Sequence, residues 1–310
     1  MWAILAGLVG LGVMAAVFLL RSSDGDAPFR TSVVAGANSL VLVEREGGRP
    51  LRSVPLGVTP YRVAYGEGTF WVAAPDDGAV VRVDETTREA KRFRVGEEPY
   101  DVAVGGGFVW VPDHDLHRLL RLDARTGAVR SSKDFGLPAI SVGYGLGAVW
   151  LVVASGDVLR IDPRTLDVTK TEPRLVVATE NAEPKLAVRD DTVFVSSPAS
   201  SVLARVEAAG PSSSIEAVGI TSIAADEDGV WFAVDSGLLT RLGGDRRVEV
   251  GTRPLDMSSS DHEVWVAAYD ERALKRVDTE AGRLTGTVEL GRSPVAVAAG
   301  EDAVAVAVQS

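Results

Sequence analysis

The chain has 310 residues, 46% of them hydrophobic, and 43 acidic against 32 basic side chains give a formal net charge of −11 at pH 7. This length suits one large domain, and the negative charge disfavours nucleic acid or an anionic membrane surface as a partner of that domain. The chain has no cysteine, which excludes disulfides, thiolate metal sites and cysteine nucleophiles.

The first element in chain order is an apolar segment. Residues 2–20 are uncharged and mostly apolar, and Arg21 closes them. As a helix they would span about 28 Å, close to the hydrocarbon thickness of a bilayer. A cleavable signal peptide usually has a shorter apolar core and a small-residue cleavage site, and neither precedes the polar stretch that follows. We therefore predict a transmembrane anchor over residues 1–20 and a short polar tether over residues 21–30.

From residue 57 onward the sequence repeats one phrase. Residues 57–71 read GVTPYRVAYGEGTFW, residues 96–110 read GEEPYDVAVGGGFVW, and residues 251–265 read GTRPLDMSSSDHEVW. Self-similarity at roughly 40 residues is the signature of a β-propeller. Each repeat is interpreted as four strands separated by Gly, Asp or Pro turns. In the first repeat the strands are predicted at residues 62–65, 70–73, 79–83 and 90–95. Repeats begin near Gly57, Gly96, Gly136, Val176, Gly219 and Gly251.

The two ends of the chain each carry half of a further repeat. The pattern restarts at Gly291 but stops at Ser310 after two strands, whereas residues 39–44 and 49–55 read as a third and fourth strand without predecessors. Six complete blades and one shared blade make seven. We predict an all-β, seven-bladed propeller over residues 31–310, closed by pairing of the terminal strands, with the closing blade shared by about residues 31–56 and 291–310.

The repeat resembles the YVTN-type and NHL-like propellers, within the wider group that includes the streptogramin lyases. The shared motif is GxxPxxVAxGxGxVWVA, followed by a strand reading RVD, RLD or RID and a TG-like turn. In the second repeat it is carried by residues 99–102, Trp110, residues 121–123 and residues 126–127. The resemblance covers residues 31–310 and implies the fold. It leaves the function open, because this fold hosts enzymes, ligand sensors and protein docking platforms.

The anchor has two possible orientations in the membrane. Arg21 and Arg30 follow it and no basic residue precedes it, which taken literally favours a cytoplasmic propeller. The same pattern would result if Met1 were an internal start within a longer chain. Because propellers behind a single N-terminal anchor usually face outward, we expect a single-pass protein of the cell membrane with an extracytoplasmic propeller.

Two sets of side chains recur in the repeats and are interpreted as structural. One is a ring of large aromatics that we expect to fill the wedges between blades, and Ala305 occupies their position in the closing blade. The other is an arginine, in most copies two residues before an acid, which we interpret as a pair on the blade surface. The aromatics are Trp71, Trp110, Trp150, Phe194, Trp231 and Trp265; the arginines are Arg82, Arg121, Arg160, Arg205, Arg241 and Arg276.

A functional site is expected in the central funnel, which the first strand of each blade lines. The positions following the repeat proline are mostly polar and predict a wet channel: Arg62, Asp101, Ser141, Lys185 or Leu186, Ser222, Asp256 and Ala296. Around it, arginines on three consecutive blades face acids on the next, which suits an anionic or zwitterionic ligand or the charged strip of a partner. A solvated rim of mutual salt bridges is the alternative. The candidate ligand-binding residues are Tyr61, Arg62, Tyr100, Asp101, Arg253, Asp256 and Arg292.

A lyase would need a general base and commonly a metal site. The three histidines, His114, His117 and His262, fall on loops that open to opposite faces and cannot easily converge. We therefore expect no catalytic residue, metal or cofactor. The predicted function is a membrane-anchored, non-enzymatic platform for a protein or cell-envelope ligand, with no nucleic acid partner. The alternative is a hydrolase or lyase that uses channel carboxylates such as Asp101 and Asp256.

Overall fold

The structure is a computed structural model that describes residues 28–178, 183–208 and 210–310. The predicted anchor, and the tether up to residue 27, lie outside the described residues. Within the described ranges no helix is long and apolar enough to cross a membrane. Apart from one 3₁₀ turn, Pro75–Asp77, the regular structure of this part is all β. Three strands precede the first complete repeat: β1 (Phe29–Ser32), β2 (Ser39–Glu44) and β3 (Pro50–Pro55).

Six complete blades follow, each with four antiparallel strands in chain order. Blade one contains β4 (Arg62–Gly66), β5 (Thr69–Ala74), β6 (Ala79–Asp84) and β7 (Ala90–Arg94). Blade two contains β8 (Ala103–Gly105), β9 (Phe108–Asp113), β10 (Arg118–Asp123) and β11 (Val129–Asp134). Blade three contains β12 (Ala139–Gly145), β13 (Ala148–Val153), β14 (Val158–Ile161) and β15 (Val168–Glu172).

The second half of the ring has the same composition. Blade four contains β16 (Lys185–Arg189), β17 (Thr192–Ser196), β18 (Val202–Glu207) and β19 (Ser213–Glu216). Blade five contains β20 (Ile220–Ala225), β21 (Val230–Val234), β22 (Leu238–Arg241) and β23 (Arg247–Glu249). Blade six contains β24 (Pro254–Ser260), β25 (Glu263–Ala268), β26 (Ala273–Asp278) and β27 (Arg283–Glu289). The strands predicted for the first repeat are confirmed to within one residue.

The seventh sheet combines both ends of the described chain. Its order is β28 (Pro294–Ala299), β29 (Ala303–Val308), β2 and β3, and β2 pairs antiparallel with β29 from Ser39↔Val308 to Glu44↔Ala303. The first strands of neighbouring blades contact one another all the way round, including β28 with β4. The fold is therefore a seven-bladed β-propeller with its inner strands in a closed ring.

β1 does not join the seventh sheet. It pairs in parallel with β27, as a fifth, outermost strand of blade six, from Phe29↔Gly286 to Ser32↔Glu289. The sequence analysis instead assigned these residues to the end of the tether and the start of the closing blade. The cause is the Phe29 ring, which fills the space that a side chain at Gly286 or Gly48 would need. The Thr31 hydroxyl adds a hydrogen bond of 2.6 Å to the carbonyl of Gly48.

The recurrent aromatics fill the wedges between blades, as predicted. Trp71 packs with Val102, Val109 and Leu120 of blade two, and the other tryptophans of the set are equally buried. Ala305, at the equivalent position of the closing blade, is fully buried among residues of β2 and blade one. Small side chains therefore suffice there because the neighbouring strands supply leucines and a phenylalanine.

The recurrent arginines connect blades more than they pair with the acid two residues ahead. Arg82 lies 3.9 Å from its acid, but Arg121 donates at 2.8 Å to the carbonyl of Pro163, and Arg276 at 2.7 Å to that of Glu46. The acids of these strands accept the amide hydrogens of their own turns; Asp84, for example, accepts from Thr87 at 2.8 Å. The predicted pair forms at Arg82 and, at 2.7 Å, between Arg205 and Glu207. At Arg121 and Arg276 the guanidinium binds a backbone carbonyl of the next blade instead, so the predicted pairing holds in part of the ring.

The ring has two distinct faces. The funnel face carries the loops that lead into each first strand and those that join second to third strands. The hairpin face carries the turns that join first to second and third to fourth strands. On the hairpin face His262 of blade six lies against blade five, with Nδ1 2.8 Å from Asp228 Oδ2 and Nε2 2.8 Å from Glu227 Oε1.

This histidine predicts a pH-dependent contact between blades. The hydrogen bond with the Asp228 carboxylate raises the pKa of His262 above its ordinary 6.5. A raised pKa stabilises the fold below pH 6.5, and that contribution is lost as the pH rises through the folded-state pKa. The urea midpoint of the wild type should therefore fall, relative to that of His262→Gln, as the pH rises above 6.5. Parallel pH profiles for the two proteins would contradict this.

Candidate functional site

The polar positions of the inner strands meet around one central cavity of about 330 Å³. They occupy the same register in their blades, opposite the residue of the second strand that lies two positions after the recurrent aromatic. Arg62 pairs with Ala73, for example, and Lys185 with Ser196. Lys185, rather than Leu186, thus occupies the predicted position in blade four. Of the predicted ring, the cavity is lined by Arg62, Asp101, Ser141, Lys185 and Asp256.

Two carboxylates of this ring hold neighbouring blades together. Asp101 accepts hydrogen bonds from the amides of Val102 at 2.8 Å and Val142 at 3.0 Å, and from the hydroxyl of Ser141 at 3.0 Å. The innermost strand of each blade is a sheet edge, so its inward amides lack a partner within their own sheet. The Asp101 carboxylate of blade two supplies that partner to blade three.

Asp256 repeats the arrangement between blades six and seven. It accepts from the amide of Val297 at 3.0 Å and forms an ion pair of 2.9 Å with the Lys185 ammonium from across the channel. Only 12% of either side chain of this pair is exposed. Both oxygens of Asp256, like both of Asp101, are therefore engaged with protein donors.

Between Arg62 and Tyr100 lies an acid that was not predicted from the sequence, Glu183. It forms an ion pair with Arg62 and accepts a hydrogen bond of 3.0 Å from the Tyr100 hydroxyl. The guanidinium of Arg62 lies 4.8 Å from the centre of the Tyr61 ring. Glu183 directly precedes the repeat proline of blade four, and this place in the repeat could have indicated that it lies near the central ring of side chains. The irregular spacing of this repeat concealed it.

Burial shifts the titration of the channel groups. It raises the pKa of Asp101, against the opposing effect of the Arg62 charge and of the Val142 amide. It also lowers the pKa of Lys185, an effect that the positive charge of Arg62 reinforces and the negative charge of Asp256 opposes. Each buried ion therefore depends on its partners to remain charged.

Above this channel, on the funnel face, lies a cavity of about 400 Å³. We call it the funnel. Arg62 and Lys185 line both cavities and so form its floor. On its wall the Arg253 guanidinium lies 4.4 Å from the centre of the Tyr269 ring and 3.2 Å from the Asp270 carboxylate. Glu183, paired with Arg62, also lines this cavity. The remaining lining groups are uncharged: Tyr61, Pro198, Thr221, Leu255, Val295 and Gln309.

The predicted arc of three arginines is only partly assembled. Arg62 and Arg253 line the funnel with Tyr61, whereas Arg292 lines a separate cavity of about 220 Å³ and donates through Nε to the Ala35 carbonyl at 3.1 Å. Tyr100 faces a third cavity, of about 290 Å³, together with Tyr61. The candidate ligand-binding residues are thus divided among the channel and three cavities.

One group of side chains in the described part of the chain could hold a metal ion. Glu98, His114 and Asp115 bring donor atoms within 4.8 Å of one another, and imidazole with carboxylates is a donor set that Zn²⁺ accepts. His114 Nδ1 lies 2.8 Å from Glu98 Oε2, and its ring stacks on Tyr100 at 5.2 Å. The sequence analysis named no metal ligand because these residues lie on two loops. His262 lies on the opposite face, so the histidines do not converge.

Comparisons with known proteins bear on the fold. No protein-family model and no curated protein matches the sequence. Among solved structures, hydrazine synthase of Kuenenia stuttgartiensis is 12% identical with a TM-score of 0.62, covering 77% of this chain and 89% of its own. BamB of Moraxella catarrhalis is 13% identical with a TM-score of 0.57, covering 91% and 95%. The computationally designed protein Ika8 is 14% identical with a TM-score of 0.61, covering 96% and 95%. At such identities the likeness shows the fold alone, and that fold is the β-propeller.

Proposed function

We propose that this chain is a non-enzymatic binding platform that receives a protein partner or a cell-envelope ligand on its funnel face. In this proposal residues 1–20 anchor it in a membrane and the propeller lies outside the cytoplasm. The supporting observation is where the exposed apolar side chains lie.

Large exposed apolar residues follow one another around the funnel face. The first lies between the second and third strands of blade two, and the next three lie on the loops that lead into blades three, four and five. Large apolar groups left in water on neighbouring loops are typical of protein interaction surfaces. We call these residues the apolar arc: Leu116, Leu137, Val177 and Val218.

The funnel beside the apolar arc is suited to an anionic group. Arg253 is half exposed, its one ion pair in the described chain is with the exposed Asp270, and the rings of Tyr61 and Tyr269 border the same cavity. A guanidinium beside aromatic faces can bind a carboxylate or phosphate while the rings pack against its apolar part. Of the candidate ligand-binding residues, we propose that Arg253 and Tyr61 contact the ligand, above a floor formed by Arg62.

The engaged carboxylates support a platform over the hydrolase or lyase alternative. A general base must reach the substrate proton with a free lone pair. Asp101 and Asp256 instead accept hydrogen bonds from protein donors at both oxygens and connect adjacent blades. Turnover of a substrate that Asp101→Asn abolishes, in a variant with unchanged stability, would favour the enzyme.

The apolar arc allows a matched test by affinity capture from native membranes. Val177→Arg and Val218→Arg are expected to lose the bound partner, because a charge replaces apolar contact area. Val129→Arg is the control: Val129 is 47% exposed against 48% for Val177, but it begins the outer strand β11, away from the funnel face. A partner retained by all three variants, or lost equally from all three, would contradict the proposal.

A further inference from the structure

The direction of β1 shows at which face of the ring the described chain begins. β27 begins after the turn at residues 279–282, on the hairpin face, and ends at Glu289 beside the loop that leads to β28, on the funnel face. β1 runs parallel to it, with Ser32 opposite Glu289. The described chain therefore begins at the hairpin-face end of blade six.

The attachment of β1 is well defined. The Phe29 ring lies 6.5 Å from the Trp265 ring and 5.9 Å from the Arg276 guanidinium, and it covers Gly286. The backbone continues the connection beyond β1, since the amide of Val33 donates to the Glu289 carbonyl at 2.8 Å. The N-terminal segment thus ends at a fixed place, on the outer edge of blade six and nearest to the hairpin face.

The length of the connecting chain limits how far this edge can lie from a membrane. Residues 21–28 reach about 29 Å at most when fully extended. The seven residues of β27 span about 23 Å between the two faces. With the funnel face toward the bilayer, the connecting chain would have to run back along this strand and use about 23 Å of its length. We infer that the hairpin face is turned toward the bilayer and the funnel face away from it. This inference rests on the proposed anchor at residues 1–20, but not on which side of the membrane the ring occupies.

The charges of the hairpin face fit a surface that is near the bilayer without adhering to it. The turns between first and second strands contain no lysine or arginine, and apart from His262 all their charged residues are acidic: Glu67, Asp190, Asp191, Asp226, Glu227, Asp228, Asp261, Glu301 and Asp302. The turns between third and fourth strands carry charges of both signs: Arg45, Arg49, Arg88, Arg125, Arg164 and Arg246 beside Glu46, Glu85, Glu89, Asp162, Asp167, Asp245 and Glu280. The face as a whole is therefore acidic, and anionic headgroups repel such a surface within a Debye length, about 10 Å at 0.1 M salt. The partner of the funnel face then approaches from water and is a soluble protein or domain rather than a membrane-embedded one.

The absence of native cysteine makes this orientation measurable with single labels. Ala281→Cys marks the hairpin face of blade six and Thr252→Cys its funnel face; both residues are exposed and both substitutions are small. Each full-length variant carries a fluorophore and is reconstituted into phosphatidylcholine vesicles that contain a nickel-chelating lipid as quencher. We expect several-fold stronger quenching at residue 281 than at residue 252.

Three outcomes are distinguishable. Stronger quenching at residue 281 supports the inference. Equal quenching, or stronger quenching at residue 252, in protein that floats with the vesicles overturns the orientation and leaves the anchor standing. Full-length protein that fails to float overturns the anchor and the orientation with it. A variant lacking residues 1–20 sets the baseline, and matching far-ultraviolet circular dichroism of the two cysteine variants establishes that both are folded.

Discussion

Replacing Asp256 with alanine is expected to lower the free energy of unfolding by about 3–5 kcal/mol, since it leaves a buried charge without its partner. The substitution strands the Lys185 ammonium in the channel, where burial already lowers its pKa. It also removes the acceptor of the Val297 amide, which holds blade seven against blade six. Urea unfolding followed by tryptophan fluorescence measures the change.

Two controls separate the charge from the loss of a polar group. Ser222 occupies the same position in blade five, and its hydroxyl has no hydrogen-bond partner in the described chain, so Ser222→Ala should be nearly neutral. The double variant Lys185→Met with Asp256→Ala should be more stable than Asp256→Ala alone, because it removes the stranded ammonium. A double variant as unstable as the sum of the two single substitutions would refute the charge explanation.

Replacing Glu85 with alanine should cost about 2–4 kcal/mol, because three buried or half-buried donors lose their acceptor. Glu85 belongs to blade one, but its Oε1 accepts the amides of Asp302 and Ala303 of blade seven, each at 2.9 Å. Its Oε2 accepts the hydroxyl of Tyr65 at 2.5 Å, and burial together with this hydrogen bond raises the pKa of Tyr65. Glu85 therefore joins the first complete blade to the closing one.

Hydrogen exchange locates the effect of this change. Glu85→Ala should accelerate exchange in β28 and β29 before it does so in blades three and four, because the loss is local to the junction. Glu89→Ala is the control, since Glu89 lies in the same turn and is exposed. Uniform acceleration around the ring, or an equal effect of Glu89→Ala, would contradict a local role for Glu85.

The repeat allowed much of the fold to be predicted from sequence. The period near 40 residues and the half-repeats at both ends predicted seven blades, and the position after the proline predicted five of the side chains that line the channel, but not the absence of Ser222 and Ala296 from that lining. These inferences succeeded because period-2 alternation and turn residues are local signals. Asp256 was predicted from that position and Lys185 only as an alternative to Leu186, and nothing local predicted that Lys185 and Asp256 would form an ion pair across the channel.

What the sequence did not predict depends on contacts between distant parts of the chain. Glu183 reaches Arg62 across the ring, and neither residue carries a local sign of the other. The position of β1 depends on two glycines, Gly48 and Gly286, that leave room for Phe29, and a glycine in a sequence usually indicates a turn. Arg292 was assigned to the funnel by counting blades, but its side chain turns to the Ala35 carbonyl instead.

The shared seventh sheet has a consequence for biosynthesis. β2 is made before the six complete blades, but its partner β29 is made only after them, so Val41 cannot pair with Val306 until all six have been synthesised. Until then β2 keeps an open edge, and β28 and β29 emerge as strands built only of proline, alanine and valine. Uncharged, β-rich strands with free edges are prone to pair with other molecules. The yield of native protein therefore depends on whether β2 pairs with β29 of the same molecule faster than nascent chains aggregate with one another.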